Sequence, residues 1–278
     1  MRKEERSLVG TTGNSLFVRD WRPVNRQVRA VVCLSHGLGE HGGRYVHVAE
    51  LMAEAGIAVI AFDHHGHGLS SGKRGHISSM EAATKDTALV IEDAGTKYEN
   101  LPIFLYGHSM GGNIALNCAL RLKPDIQGLI LSSPWLRLAF KPPAIKDFAA
   151  ELLASAVPSL QQQNGLDLAD LFRPGYDKAF PFEEPLCHSK ITVKTYLEVK
   201  KSGEWALQHA SELQAPLYIF HGTSDRVTSH EASKLLLEKV GPRGTWRSWE
   251  GGYHELHNDL SGDRVIAEAI EWMNRQLE

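Results

Sequence analysis

Leu101-Pro102-Ile103-Phe104-Leu105-Tyr106-Gly107-His108-Ser109-Met110-Gly111-Gly112-Asn113-Ile114-Ala115-Leu116 is the stretch that decides the fold of this chain. Its first six residues form a short apolar run bounded by turn residues, as in a buried strand. From Asn113 through Cys118 the spacing becomes helical, until Pro124 stops it. Between the two lies a G-x-S-x-G elbow, Gly107 to Gly111, with a serine on a tight strand-to-helix turn. Such a turn strains the serine backbone, and its neighbours must be glycine so that no Cβ blocks its closure. The Ser109 hydroxyl is then pushed out of the turn. With 25 glycines in 278 residues the pentapeptide alone could arise by chance, so its weight depends on its surroundings.

The same alternation spreads to either side. Leu16 to Trp21 reads as an opening strand, and Ala30 to Ser35 as a strand buried on both faces. Ile57 to Phe62, Gly128 to Ser133, Leu217 to Phe220 and Trp246 to Trp249 read as further strands. Helical spacing falls over Tyr45 to Ala55, Ser79 to Lys97, Glu231 to Val240 and Asp263 to Leu277. This order predicts an α/β fold with a mostly parallel central sheet and helices on both faces. The beat breaks between Trp135 and Ser211, where no clean strand is visible. There Pro142-Pro143, Pro158, Pro174, Pro181 and Pro185 punctuate short helical patterns such as Ala149 to Ala156 and Thr192 to Lys200. The interruption reads as an inserted, mainly helical lid, dividing the chain into core residues 1–134, lid 135–211 and core 212–278.

Thirty Lys and Arg against 33 Asp and Glu leave a formal charge of −3, without the dominant basic field that a nucleic-acid partner needs. Cys33, Cys118 and Cys187 are odd in number, far apart and without C-x-x-C spacing, so neither a disulfide framework nor a zinc site is expected. No apolar region follows the charged Met1 to Arg6, and no run approaches membrane-spanning length. A cytoplasmic protein is expected, with room for peripheral membrane contact through the lid.

A serine hydroxyl is a poor nucleophile at neutral pH, so the elbow predicts a histidine base and a carboxylate to orient it. Around such elbows the acid and then the base follow the serine in chain order, each after a later strand. Asp225 lies in His221-Gly222-Thr223-Ser224-Asp225-Arg226, directly after the strand ending at Phe220. His254 ends Glu250-Gly251-Gly252-Tyr253-His254, directly after the strand around Trp249. Asp259 and Asp263 fall later, near the start of the last helix, where capping is the expected role. Of the 14 histidines only His254 and His257 follow the last strand, and His257 sits further along.

Other patterns compete for the chemistry. His254-Glu255-Leu256-His257 spaces its histidines three apart, whereas a zinc-binding H-E-x-x-H helix needs four. His64, His65 and His67 crowd one turn without a carboxylate and histidine set at ligand spacing, so no metal is expected. Gly37-Leu38-Gly39-Glu40-His41-Gly42 is a literal G-x-G-x-x-G between strand and helix, with Asp63 ending the next strand, as in a nucleotide-dependent oxidoreductase. Against that reading, Glu40, His41 and Arg44 make the turn charged, and a glutamate would repel a pyrophosphate. The Leu38 amide can point instead at a developing oxyanion. A binding or signalling protein that keeps the scaffold with little turnover is the alternative from a third class.

Together, His36-Gly37-Leu38-Gly39-Glu40-His41-Gly42-Gly43-Arg44-Tyr45, Asp63-His64-His65-Gly66-His67-Gly68-Leu69-Ser70, the elbow, and Gly252-Tyr253-His254-Glu255-Leu256-His257 resemble the monoacylglycerol lipase and lysophospholipase group of α/β-hydrolases. Within the lid, Glu184-Pro185-Leu186-Cys187-His188-Ser189-Lys190 resembles a D-P-L segment of bacterial members, with Glu184 in place of the aspartate. The resemblance implies an α/β-hydrolase fold and a serine esterase of lipid-derived monoesters. Monoacylglycerol is the first expectation; a lysophospholipid or a medium-chain carboxylic ester is the alternative. It implies a triad of Ser109, Asp225 and His254, oxyanion donors on the Leu38 and Met110 amides, and no cofactor. It further implies that Glu40, Arg44 and His257 line the polar, glycerol-facing end of the site. A tunnel under Leu152, Leu153, Val157 and Leu160 would then select chain length, at about 0.8 kcal/mol per buried methylene.

Overall fold

A computed structural model describes residues 1–140, 157–173 and 184–278. The chain opens with an antiparallel hairpin, Arg2–Val9 (β1) and Ser15–Arg22 (β2). Ala30–Ser35 (β3), Val46–Glu54 (α1), Ile57–Phe62 (β4), Met80–Lys97 (α2), Ile103–His108 (β5), Ser109–Arg121 (α3) and Gly128–Ser132 (β6) follow. After β6 come Gln161–Gln163 (β7), Lys190–Thr192 (β8), Val193–His209 (α4), Leu217–Gly222 (β9), His230–Val240 (α5), Gly244–Trp249 (β10) and Gly262–Leu277 (α6). Eight strands form one sheet in the order β1-β2-β4-β3-β5-β6-β9-β10. The pairs β1 with β2 and β2 with β4 are antiparallel, and every other pair in this sheet is parallel.

A parallel sheet covered on both faces requires strands that are apolar at every position, and their alternating side chains feed two cores. Val31 and Cys33 of β3 and Leu105 of β5 point to one face, where they pack with Val90 of α2, Leu116 of α3 and Leu236 of α5. Val32 and Leu34 of β3 and Phe104 and Tyr106 of β5 point to the other, against Met52 of α1 and Trp272 of α6. Helix ends follow from their caps: Ser79 Oγ accepts from the Ala82 amide at 3.0 Å and Ser229 Oγ from the Ala232 amide at 3.1 Å.

Three features depart from the sequence reading. The expected opening strand is preceded by β1, whose charged residues gave no strand signal; it lies at the sheet edge with mostly exposed side chains, where charge is tolerated. The stretch expected to hold no strand contains the antiparallel pair β7 and β8, too short and too glutamine-rich to show alternation. The helix expected at Thr192 to Lys200 runs on to His209, and its later turns carry Ala206 and Leu207 into the core beneath α3. A polar ladder seats it: Asn113 Nδ2 donates to the Val199 carbonyl at 3.0 Å, and Ser202 Oγ donates to Asn113 Oδ1 at 2.7 Å. The helical pattern over Ala149 to Ala156, with Leu152 and Leu153, lies outside the described residues, as do Pro142, Pro143, Pro174 and Pro181.

Two glycines give a direct test of the packing. A Cβ at Gly111 would lie 2.1 Å from the Ser35 carbonyl oxygen, where β3 and α3 meet backbone to backbone. At Gly95 in α2 the nearest atom would be Ile103 Cδ1 at 3.7 Å, an ordinary contact. Gly111→Ala should therefore lose about 3 kcal/mol or more, the upper end of overpacking. Gly95→Ala should be neutral or gain up to about 1 kcal/mol. Urea midpoints measure both, and equal midpoints would refute the tight contact.

Candidate active site

The site lies beyond the carboxyl ends of β3, β5, β9 and β10, where an open α/β sheet offers its crevice. Ser109 is the first residue of α3 and holds φ at +51°, the left-handed strain expected of an elbow. Both flanking glycines are required by space, since a Cβ on Gly107 would meet the Gly111 carbonyl oxygen at 2.5 Å. Ser109 Oγ donates to His254 Nε2 at 2.9 Å, and His254 Nδ1 donates to Asp225 Oδ2 at 2.8 Å. Ser109, 145 positions from His254, and Asp225, 29 positions from it, are thus hydrogen-bonded in series through the imidazole, and all three side chains are buried.

Asp225 is held from several sides. Its Oδ1 accepts from the Val227 and Thr228 amides at 2.8 and 3.0 Å, and its Oδ2 from Thr228 Oγ1 at 3.0 Å. His221 Nε2 also donates to Oδ2, at 3.0 Å, while its Nδ1 accepts from Ser233 Oγ at 2.8 Å. Burial alone would raise the Asp225 carboxyl, but the His254 charge and the hydrogen bonds from His221 and His254 outweigh it and hold the group well below its ordinary value. His254 shows the converse balance. Burial would lower it, yet the Asp225 charge and hydrogen bond leave it raised above 6.5. Its neighbour His108, with ring centroids 4.9 Å apart, is pushed down to about 3 by burial and then by the His254 charge. Of these two adjacent imidazoles, only His254 is biased toward taking a proton.

The loop after β3 lies against Ser109, for a Cβ on Gly37 would stand 3.3 Å from Ser109 Cβ. Met110 is the second residue of α3, so its amide is among those left without an intrahelical acceptor. Gly37 and Met110 thus bring two backbone segments beside Ser109. Glu40 does not face an open cleft. Its Oε1 accepts from the Gly37 amide at 2.5 Å and from Tyr45 Oη at 2.8 Å, and its Oε2 accepts from Arg44 Nη1 at 2.7 Å. Arg44 continues to Glu255, donating to Oε1 at 3.1 Å and Oε2 at 2.8 Å. His257 is buried and stacked on Tyr45 at 4.7 Å, both ring nitrogens without hydrogen-bond partners, and burial followed by the His108 charge lowers it well below the ordinary histidine range. His221, Thr228, Tyr45 and Glu255 escaped the sequence reading. Glu255 carried one signal, its adjacency to His254.

The competing motifs resolve into structural roles. Asp63 is fully buried: Oδ1 accepts from Arg19 Nη1 at 2.6 Å and the Gly42 amide at 2.8 Å, and Oδ2 from the Leu69 amide at 2.8 Å. It has no oxygen turned to a ribose, and Glu40 occupies the amide a pyrophosphate would use. Asp259 is an ion-pair partner of Arg173 at 2.7 Å rather than a helix cap. Among the described residues one group of three, His41, Glu184 and Cys187, brings its ligand atoms within 4.8 Å of one another. His41 Nδ1 accepts from the Gly43 amide at 3.1 Å, so the ring proton sits on Nε2 and donates to Glu184 at 2.7 Å. That nitrogen has no lone pair free for a metal, and burial pushes the Cys187 thiol up to about 12.

With this geometry in place, comparison with known proteins is informative. The Hydrolase_4 family, described as serine aminopeptidase, S33, matches residues 26–261. An abhydrolase domain-containing protein of Dictyostelium discoideum is 34% identical over 98% of this chain, which spans 29% of that protein's length. The human monoglyceride lipase is 32% identical over 97% of this chain and 90% of its own. The crystal structure of Paleococcus ferrophilus monoacylglycerol lipase superposes with a TM-score of 0.84 at 35% identity, covering 94% of this chain and 99% of that one.

A base works only when neutral, so a histidine raised above 6.5 sets the acidic limb of the rate profile. The kcat/KM of ester hydrolysis should fall about tenfold per pH unit below a midpoint higher than 6.5. Asp225→Asn removes the charge that raises it, and should lower kcat and move that midpoint down. A midpoint unmoved by Asp225→Asn would refute the pairing as the cause.

Proposed function

We propose that this chain, which belongs to the Hydrolase_4 family and is a serine hydrolase, cleaves monoacylglycerols to glycerol and a fatty acid. The observation that carries the reading is the series of hydrogen bonds from Ser109 through His254 to Asp225, at 2.9 and 2.8 Å, beside an apolar wall. Ser109 Oγ attacks the ester carbonyl carbon as His254 Nε2 takes its proton. The carbonyl oxygen becomes an oxyanion that accepts from the Leu38 and Met110 amides, each worth about 2.7–4 kcal/mol in the transition state. Collapse breaks the ester bond, and His254 returns its proton to the departing glycerol oxygen. Water, deprotonated by the same imidazole, then attacks the acyl-enzyme and releases the fatty acid and Ser109. Asp225 keeps the imidazole in the working tautomer throughout.

The acyl chain needs an apolar path, and one begins at the elbow. Met110 and Ile114 pack with Ile77, Trp135, Ile191 and Val199, and Leu38 and Tyr196 pack against them. This wall joins the oxyanion residues to β8 and α4 of the inserted segment, the lid proposed over 135–211. Val157 and Leu160, expected to roof a tunnel, are exposed at 47% and 41%, as is Phe140 at 57%. These three are better suited to meeting a micelle or bilayer that delivers the substrate. Among the described residues no helix is long and apolar enough to cross a membrane, so that contact would be peripheral. The free thiols of Cys33, Cys118 and Cys187 suit a reducing compartment and support a cytoplasmic location. At the glycerol end, His257 is the proposed hydrogen-bonding group, because its ring nitrogens are unpaired.

Two measurements test the assignment. Ser109→Ala should lower kcat by roughly 10⁶, the scale of losing such a serine. On a panel of monoacylglycerols kcat/KM should climb from acetyl to lauroyl, at about 0.8 kcal/mol of binding per methylene buried, and exceed that for the matching lysophospholipids. A flat profile would overturn the apolar wall as a selector. Faster turnover of an amino-acyl p-nitroanilide than of any monoacylglycerol would overturn the substrate class.

A further inference from the structure

The loop after β3 and the loop carrying His254 belong to opposite halves of the chain, yet one buried chain of charges joins them. Glu40 accepts the Gly37 amide on Oε1 and Arg44 on Oε2; Arg44 donates with both terminal nitrogens to Glu255, the residue after His254. Asn258 Nδ2 donates to Glu255 Oε2 at 2.7 Å, and Tyr45 Oη fixes Glu40 Oε1 at 2.8 Å. The three side chains are nearly closed to solvent, at 5% for Glu40, 9% for Arg44 and 6% for Glu255. Every carboxylate oxygen of the set has a protein donor. The set is thus built as a closed, hydrogen-bonded chain between the two loops.

The placement of these bonds has a direct chemical meaning. Gly37 lies against Ser109, Glu40 holds the peptide before it through the Gly37 amide, and His36 Nδ1 donates to the Gly37 carbonyl at 2.8 Å, so both peptides that set the direction of the Leu38 amide are held. We propose that Glu40, Arg44 and Glu255 are positioning residues that tie the Gly37-Leu38 segment to the His254 loop, setting oxyanion donor and base together relative to Ser109. This assigns Glu40 and Arg44 a role in the transition state for any ester, whether or not the alcohol is glycerol. The inference rests on Ser109 and His254 acting as proposed above.

The two roles separate kinetically on paired substrates. p-Nitrophenyl butyrate has no glycerol, whereas monobutyrin has the same acyl group and does. For Glu40→Ala, kcat should fall about tenfold to hundredfold on both esters alike, as for a disturbed oxyanion site, while KM stays within about twofold. The inhibition constant of an alkyl trifluoromethyl ketone, which forms an oxyanion adduct with the serine, should rise by a similar factor. Glu40→Gln should recover most of the loss, because its amide oxygen still accepts from Gly37. An unchanged kcat in Glu40→Ala, or a loss confined to the KM for monobutyrin, overturns the proposal.

Should Glu40→Ala fail to fold, Glu255→Gln decides in the same way. It keeps the shape but weakens the tie to Arg44, so kcat should drop on both esters. The acidic limb should also move to lower pH, since the Glu255 charge helps to raise His254. An unchanged kcat in that variant overturns the proposal. Wild-type protein without turnover, or a Ser109→Ala variant that keeps it, overturns the serine reading and the brace with it. Loss in Ser109→Ala beside full activity in Glu40→Ala overturns the brace alone.

Discussion

The close backbone approach at the elbow is the constraint on which the rest of the structure depends. Gly107 and Gly111 leave no room for a side chain, and Gly111 sits against the carbonyl oxygen of Ser35 at the end of β3. One contact therefore does three things. It forces Ser109 into the left-handed region, brings α3 onto the sheet with its first amides turned to the cleft, and presses the loop after β3 against that serine. With the serine fixed, the parallel order β5-β6-β9-β10 delivers Asp225 and His254 at the same end of the sheet.

Electrostatics at this end works by contrast between like groups. His108, His254 and His257 are all buried, and burial disfavours the charged form of each. Only His254 faces a carboxylate squarely enough to reverse that effect. The Asp225 charge is itself kept by two backbone amides, a threonine hydroxyl and His221, so it is not free to take the proton back. One buried anion thus selects one imidazole among several.

How far this could be read from the sequence varies with the range of the signal. Strands buried on both faces, such as Ala30–Ser35 and Ile57–Phe62, announce themselves as unbroken apolar runs. Ser109, Asp225 and His254 were legible because each stands at a recognisable strand end in a fixed chain order. The edge strand Arg2–Val9 was hidden by its charge, and Gln161–Gln163 by its brevity. Glu40 and Arg44 were read toward the substrate, and Glu255 was given no role, because nothing in their spacing reveals a partner 211 positions away. The seat of α4 is similarly silent: Asn113 and Ser202 look like surface residues until the two helices cross.

The segment between β6 and β9 leaves the sheet at Ser132 and returns at Leu217, and those two strands are hydrogen-bonded neighbours. Because the two strands are parallel, the segment leaves at one end of the sheet and re-enters at the other, with α4 as the return crossover. Closing such a loop costs entropy that grows only with the logarithm of its length, about 0.6 kcal/mol for each doubling. The sheet is almost indifferent to how much chain is threaded through that gap. Lineages can lengthen, shorten or rebuild the covering segment while the hydrolytic groups below remain in register, so this junction is where new specificities can be grafted with least harm to folding.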